Sequence, residues 1–115
     1  MLLENTIHLG DCLELMKEIP DASVDMILCD LPYGTTQNAW DSILPLQTLW
    51  AEYGRITKEK APIVLTAAQP FSSNLVMSNL PNFRYEWIWV KSKITGVLNA
   101  KRMPVRKHEQ ILVFY

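Results

Sequence analysis

Val24-Asp25-Met26-Ile27-Leu28-Cys29-Asp30-Leu31-Pro32-Tyr33-Gly34 is the stretch on which the fold turns. Its apolar start predicts a strand over residues 23–29, apolar on both faces apart from Asp25, as in a parallel sheet covered by helices. The run then stops at an acid, a proline, an aromatic and a glycine. In an open α/β sheet, ligands bind in the crevice beyond the carboxyl ends of the strands, so a carboxylate and an aromatic delivered there are placed for chemistry. Pro32 lacks an N–H and keeps Leu31 out of the helical region, so the backbone stays extended and its carbonyls can face a ligand. Asp30 offers acceptors only, and the Leu31 carbonyl offers another. A flat group carrying an NH2 fits that pair while its ring stacks on Tyr33. Taken alone, the same residues also read as a strand-ending turn with a solvated Asp and a packed Tyr, so the neighbouring sequence has to decide.

Upstream, Thr6-Ile7-His8-Leu9 is a short strand candidate closed by Gly10-Asp11. Leu13, Leu15, Met16 and Ile19 then share one helical face over residues 11–19, and Pro20 ends the helix. Asp11 is the N-capping type of residue, and it also stands where a ligand would meet the edge between strand and helix. Downstream, residues 34–40 read as a polar loop and Trp40-Asp41-Ser42 leads into a helix over residues 43–56. Leu46, Leu49, Trp50, Tyr53 and Ile56 give that helix a core stripe, with Pro45 in its first turn. Residues 61–67 read as a strand opened by Pro62, and residues 70–79 as a helix. Over residues 85–90, Tyr85, Trp87 and Trp89 alternate with Glu86, Ile88 and Val90, which predicts a strand that is aromatic on one face. Residues 92–107 show no sustained period and hold Gly96, Pro104 and most of the bases, so they read as a functional loop. Residues 109–115 read as a last strand.

The composition bounds the remaining possibilities. The chain has 115 residues, 49% of them hydrophobic and 20% charged, which suits one globular domain and not a disordered segment. It has no apolar run of membrane-spanning length and no basic segment leading into an apolar one at its start, so a cytoplasmic location with no membrane partner is expected. Cys12 and Cys29 lack metal-ligand spacing and read as reduced thiols. His108-Glu109 is not a zinc motif, because neither Ile111 nor Leu112 supplies a second histidine, and no metal is expected.

The net charge of −1 hides an asymmetry: residues 1–60 hold ten acids and four bases, residues 84–115 seven bases and two acids. Lys91, Lys93, Lys101, Arg102 and Arg106, with Arg84 and Lys107, form a candidate phosphate-contacting segment. Such a local patch suits nucleic acid that is also positioned elsewhere, not tight non-specific binding.

With the elements placed, Gly10-Asp11-Cys12-Leu13-Glu14 and Asp30-Leu31-Pro32-Tyr33-Gly34 together resemble the amino-terminal part of DNA amino-methyltransferases. These act on adenine N6 or cytosine N4, and the form with the catalytic motif ahead of the cofactor motif is the most similar. The resemblance continues through Trp89-Val90-Lys91, Asn99-Ala100-Lys101, Arg106 and His108-Glu109-Gln110-Ile111-Leu112-Val113-Phe114, in the family's order. It implies S-adenosylmethionine as methyl donor, double-stranded DNA as partner, and Asp30, Leu31, Pro32 and Tyr33 as the catalytic motif. It also implies Asp11 and Cys12 as contacts for the adenine of the cofactor. Asp at the head of the motif leans toward adenine over cytosine.

Two departures stand out. Leu31 occupies the place where the family more often has proline, which a backbone carbonyl contact tolerates. The four glycines lie at 10, 34, 54 and 96, so no Gly-rich strand-to-helix turn receives the methionine end of the cofactor. In the family's form with the catalytic motif first, that turn and its two strands come after this chain's last residue, and in the sheet they sit between the strand of residues 6–9 and that of residues 23–29. The implied fold is therefore an α/β, partial Rossmann-like methyltransferase sheet lacking its central cofactor-binding strands, with residues 1–115 as the catalytic-motif half. The expected partner is then a complementary methyltransferase half or a second copy. The alternatives are a non-catalytic DNA-binding remnant of the same fold and a generic α/β interaction domain whose motif is accidental.

Overall fold

A computed structural model describes residues 2–34, 38 and 42–115. Most of the expected polar loop, and the Trp40-Asp41 lead into the next helix, lie outside the described residues. The element order is α1 (Cys12–Leu15), a 3-10 turn at Met16–Glu18, β1 (Ile27–Asp30), α2 (Leu46–Ile56), β2 (Ile63–Ala67), α3 (Phe71–Ser78), β3 (Phe83–Thr95) and β4 (Arg106–Phe114). The four strands form one sheet in the order β1-β2-β4-β3. β1 pairs with β2 in parallel, while β4 runs antiparallel to both β2 and β3.

The strand registers sort side chains onto two faces. Ile63, Leu65 and Ala67 of β2 and Leu112 and Phe114 of β4 are buried on the face that carries the helices. Leu49, Tyr53 and Ile56 of α2 and Phe71 and Leu75 of α3 complete this core, as the helical period of residues 46–56 predicts. The Phe114 ring lies 4.7 Å from Trp50 and 5.5 Å from Phe83, joining α2 to the far end of the sheet. Arg55 ties the N-terminal segment to α2, donating at 2.8 Å to the carbonyls of Met16 and Ile19 and pairing with Asp21 and Glu52.

The opposite face is different. Register places Leu28, Val64, Val113 and Tyr85 in one row across the sheet and Asp30, Thr66, Ile111 and Trp87 in the next. Leu28 is 70% exposed and Trp87 62% exposed, and no described helix covers them. The expectation that the first strand is covered on both faces is thus corrected: one face is packed and the other is open.

Several boundaries also move. Residues 6–9 form no strand, and Ile7 and Leu9 project into solvent, because no described strand lies beside them to satisfy their backbone. The helix expected over residues 11–19 is only α1 plus its 3-10 turn, and the strand expected from residue 23 begins at Ile27, with Val24 making a lone bridge to Thr57. Pro45 is the N-cap of α2 and does not enter its first turn. The loop expected over residues 92–107 narrows to residues 96–105, which hold a 3-10 turn at Val97–Asn99, since β3 continues to Thr95 and β4 begins at Arg106. Its ends pair with each other, Val90 opposite His108 and Thr95 opposite Arg106, so cross-strand hydrogen bonds hold strand there without any apolar period.

Candidate active site

The sequence motif is delivered where the opening stretch places it. Asp30 is the last residue of β1, and its side chain is exposed at the carboxyl edge of the sheet on the uncovered face. Leu31 follows with its side chain in the core, only 5% exposed, so what it can offer a ligand is its backbone. Tyr33 turns back over the edge of the helical layer and stacks on Phe71, the rings 5.4 Å apart and 21° from parallel. A planar ligand therefore has only the opposite face of Tyr33 to stack on. Gly34 closes the turn with φ of 74°, and a Cβ there would sit 2.7 Å from Cγ1 of Ile43, so both conformation and space require glycine.

Thr66 lies directly across from Asp30 in the β1–β2 register. Its hydroxyl donates to Oδ1 of Asp30 at 2.5 Å. The Tyr33 hydroxyl stands close to the same two residues. Burial is the chief reason that the Tyr33 phenol is pushed up to about 12; the Thr66 hydrogen bond opposes the shift, and the negative charges of Glu109 and Asp30 add to it. Tyr33 is accordingly a neutral donor at physiological pH.

Asp11 caps α1, its Oδ1 accepting from the Leu13 N–H at 2.9 Å, so the capping role read from the sequence is met. The Cys12 thiol is pushed up by burial, then by the charge of Asp11 and by Cys29.

The basic residues converge on the β3–β4 hairpin, with different surroundings. Lys91 pairs with Glu109 at 2.9 Å and lies 3.8 Å from the centre of the Trp89 ring. Arg106 donates to the Gln69 carbonyl at 2.6 Å, fastening the hairpin to the turn after β2. Lys93, Lys101 and Arg102 are exposed farther out along the hairpin. Arg84 sits apart, over the Tyr115 ring at 5.1 Å.

Sequence reasoning missed Thr66, Phe71 and Glu109 as neighbours of the motif. A signal existed for Thr66, the one polar residue within Ile63–Ala67. Two open clefts of about 470 Å³ lie elsewhere, one between α3 and β3 and one lined by Lys58, Lys60 and Asn82, and neither includes Asp30.

No family model matches the sequence, and no curated protein does. Solved structures do. A candidate DNA modification methylase from Thermus thermophilus, complexed with S-adenosyl-L-methionine, superposes with a TM-score of 0.65 at 20% identity, over 93% of this chain and 53% of its own. The cytosine-N4-specific PvuII DNA methyltransferase gives 0.68 at 13% identity, over 93% and 47%. The M1.HpyAVI–SAM complex gives 0.62 at 20% identity, over 90% and 50%. This chain therefore spans about half the length of these neighbours and shares with that half the mixed α/β, partial Rossmann-like sheet of DNA methyltransferases.

Proposed function

We propose that residues 1–115 are the base-binding half of an S-adenosylmethionine-dependent DNA amino-methyltransferase, with adenine N6 as the favoured acceptor. The observation that carries this reading is an exposed Asp30 carboxylate at the end of β1 beside a tyrosine braced on one side by Phe71. An exocyclic amine is a poor nucleophile because its lone pair is conjugated into the ring. Accepting its two N–H groups at the Asp30 carboxylate and the Leu31 carbonyl favours a pyramidal nitrogen with the lone pair released. Taking the base out of the duplex costs a few kcal/mol. Stacking on Tyr33, worth about 1–3 kcal/mol, and a hydrogen bond to a charged group, worth about 1.5–3 kcal/mol, offset that cost.

The donor, when bound, supplies an electrophilic methyl group. Asp11 and the Cys12 backbone suit the adenine end of such a molecule by their chemistry, being an acceptor and a helix-start backbone. No described element offers a Gly-rich turn for its methionine end. The open sheet face, and the outer edge of β1 that no described strand pairs, support a second segment, carrying that turn and its strands, as the missing cover. Lys91, Lys93, Lys101, Arg102 and Arg106 serve as DNA phosphate contacts along the hairpin.

The test is transfer of a labelled methyl group to duplex DNA by the chain, alone and with a complementary segment carrying the donor turn, followed by identification of the modified base. Transfer with the segment, reduced about hundredfold or more in Asp30→Ala, is the expected result. Salt-sensitive DNA binding with no transfer under either condition would identify a binding module instead, and N4-methylcytosine as product would overturn the adenine preference.

A further inference from the structure

We propose that Thr66 is a positioning residue for Asp30: it takes up one carboxylate oxygen and leaves the other, Oδ2, as the oxygen presented to ligand. The inference deepens the methyltransferase reading and rests on it for its functional meaning. Its structural content stands independently.

Asp30 is exposed and ends its strand, a position at which a carboxylate has little packing to choose its rotamer. Thr66 supplies the missing constraint. It sits on β2 at the paired position, so the sheet register itself fixes the distance between the two side chains. Its branched Cβ restricts χ1, which makes its hydroxyl a better-fixed donor than a serine or a long flexible side chain would be. The single hydroxyl proton goes to Oδ1 at 2.5 Å. Tyr33, three residues after Asp30, is held separately by its stacking on Phe71.

This arrangement answers a requirement of the proposed chemistry. An amine held by two acceptors needs both at defined angles, and one of them, the Leu31 carbonyl, is fixed by the backbone. The other would be free to rotate without Thr66. A carboxylate already aligned pays no reorganisation when the base arrives, which is where a preorganised acceptor gains its effect.

The test compares Thr66→Val, which keeps the shape and removes the donor, with Thr66→Ser, which keeps the donor. The first readout is the Asp30 χ1 rotamer by NMR three-bond couplings in the chain itself. One fixed rotamer is expected in the native chain and in Thr66→Ser, and averaging in Thr66→Val; a rotamer that stays fixed in Thr66→Val, or already averages in the native chain, overturns the proposal. The second is methyl transfer, in which Thr66→Val is expected to lower kcat roughly ten- to hundredfold with little change in KM for DNA, and Thr66→Ser to restore most of it. An unchanged kcat in Thr66→Val overturns the functional claim. If the native protein transfers no methyl group under any condition, the methyltransferase reading fails, and the rotamer still decides whether Thr66 positions Asp30.

Discussion

Tyr33 is asked to do two things at once. On the proposed reading its ring has to remain available to a ligand, while its hydroxyl stands close to the Asp30–Thr66 pair on the protein side. Phe71 reconciles them by stacking on one face, which fixes the ring while leaving stacking to the other. The cost appears in the phenol, whose folded value of about 12 lies above the ordinary 10.0. Below pH 10 the phenol is protonated in folded and unfolded chains alike and its contribution is fully present. As pH rises from about 10 to 12 the unfolded chain loses the proton first, so stability falls through that window. Tyr33→Phe should flatten this part of the stability–pH curve, read by urea unfolding at a series of alkaline pH values; a curve unchanged by the substitution would place the titration elsewhere. Tyr53, also pushed up by burial and by Cys29, supplies an internal comparison that Tyr33→Phe leaves in place. Much of this site was legible at the residue level. Asp30, Pro32 and Tyr33 announce themselves because acid, proline and aromatic follow one another at the end of an apolar run. Thr66 and Phe71 do not, because their proximity is created by strand pairing and helix docking across more than thirty residues.

Among the elements, those read correctly carry a period. α2 shows its stripe at Leu49, Tyr53 and Ile56, and the core strands β2 and β4 show continuous or alternating apolar residues, so their existence followed from spacing. The misread ones lack a face to bury. Residues 6–9 alternate well enough but have no described neighbour, and the outer part of the β3–β4 hairpin is exposed on both sides, so no pattern marks it as strand. β4 is the element on which the others depend, since it is paired on both sides and Phe114 is fully buried between Trp50 and Phe83. Phe114→Ala should cost about 3–5 kcal/mol, the scale of removing a buried aromatic, with loss of both sheet order and α2 docking. Denaturant titration followed by far-UV circular dichroism and by Trp50 fluorescence would show it; a loss under about 1 kcal/mol would mean that the ring's neighbours close the gap.

At the scale of the molecule, the imbalance between faces dominates. One side of the sheet is packed by α2 and α3, while the other presents Leu28 beside an edge of β1 that no described strand pairs, and Tyr85 and Trp87 on β3 at the opposite edge. An exposed apolar face next to an open strand edge favours association. In sedimentation the chain alone should therefore run heavier than its 13.2 kDa monomer as concentration rises, and Leu28→Lys should return it toward monomer. A native chain that stays monomeric throughout would show the open face to be tolerated by itself.

The strand order carries one more consequence, for the sequence of events during synthesis. β4 is made last of the four strands, yet it occupies an interior place, with β2 on one side and β3 on the other. Everything translated before Arg106 can assemble no more of the sheet than the short parallel pair β1–β2, and β3 has nothing to lie against. Leu112 and Phe114, the residues that seal the core, emerge from the ribosome after the apolar positions they cover. Until β4 emerges, Phe71 and Leu75 have only the β1–β2 pair to rest on, and the rest of their floor waits on a strand made later than they are.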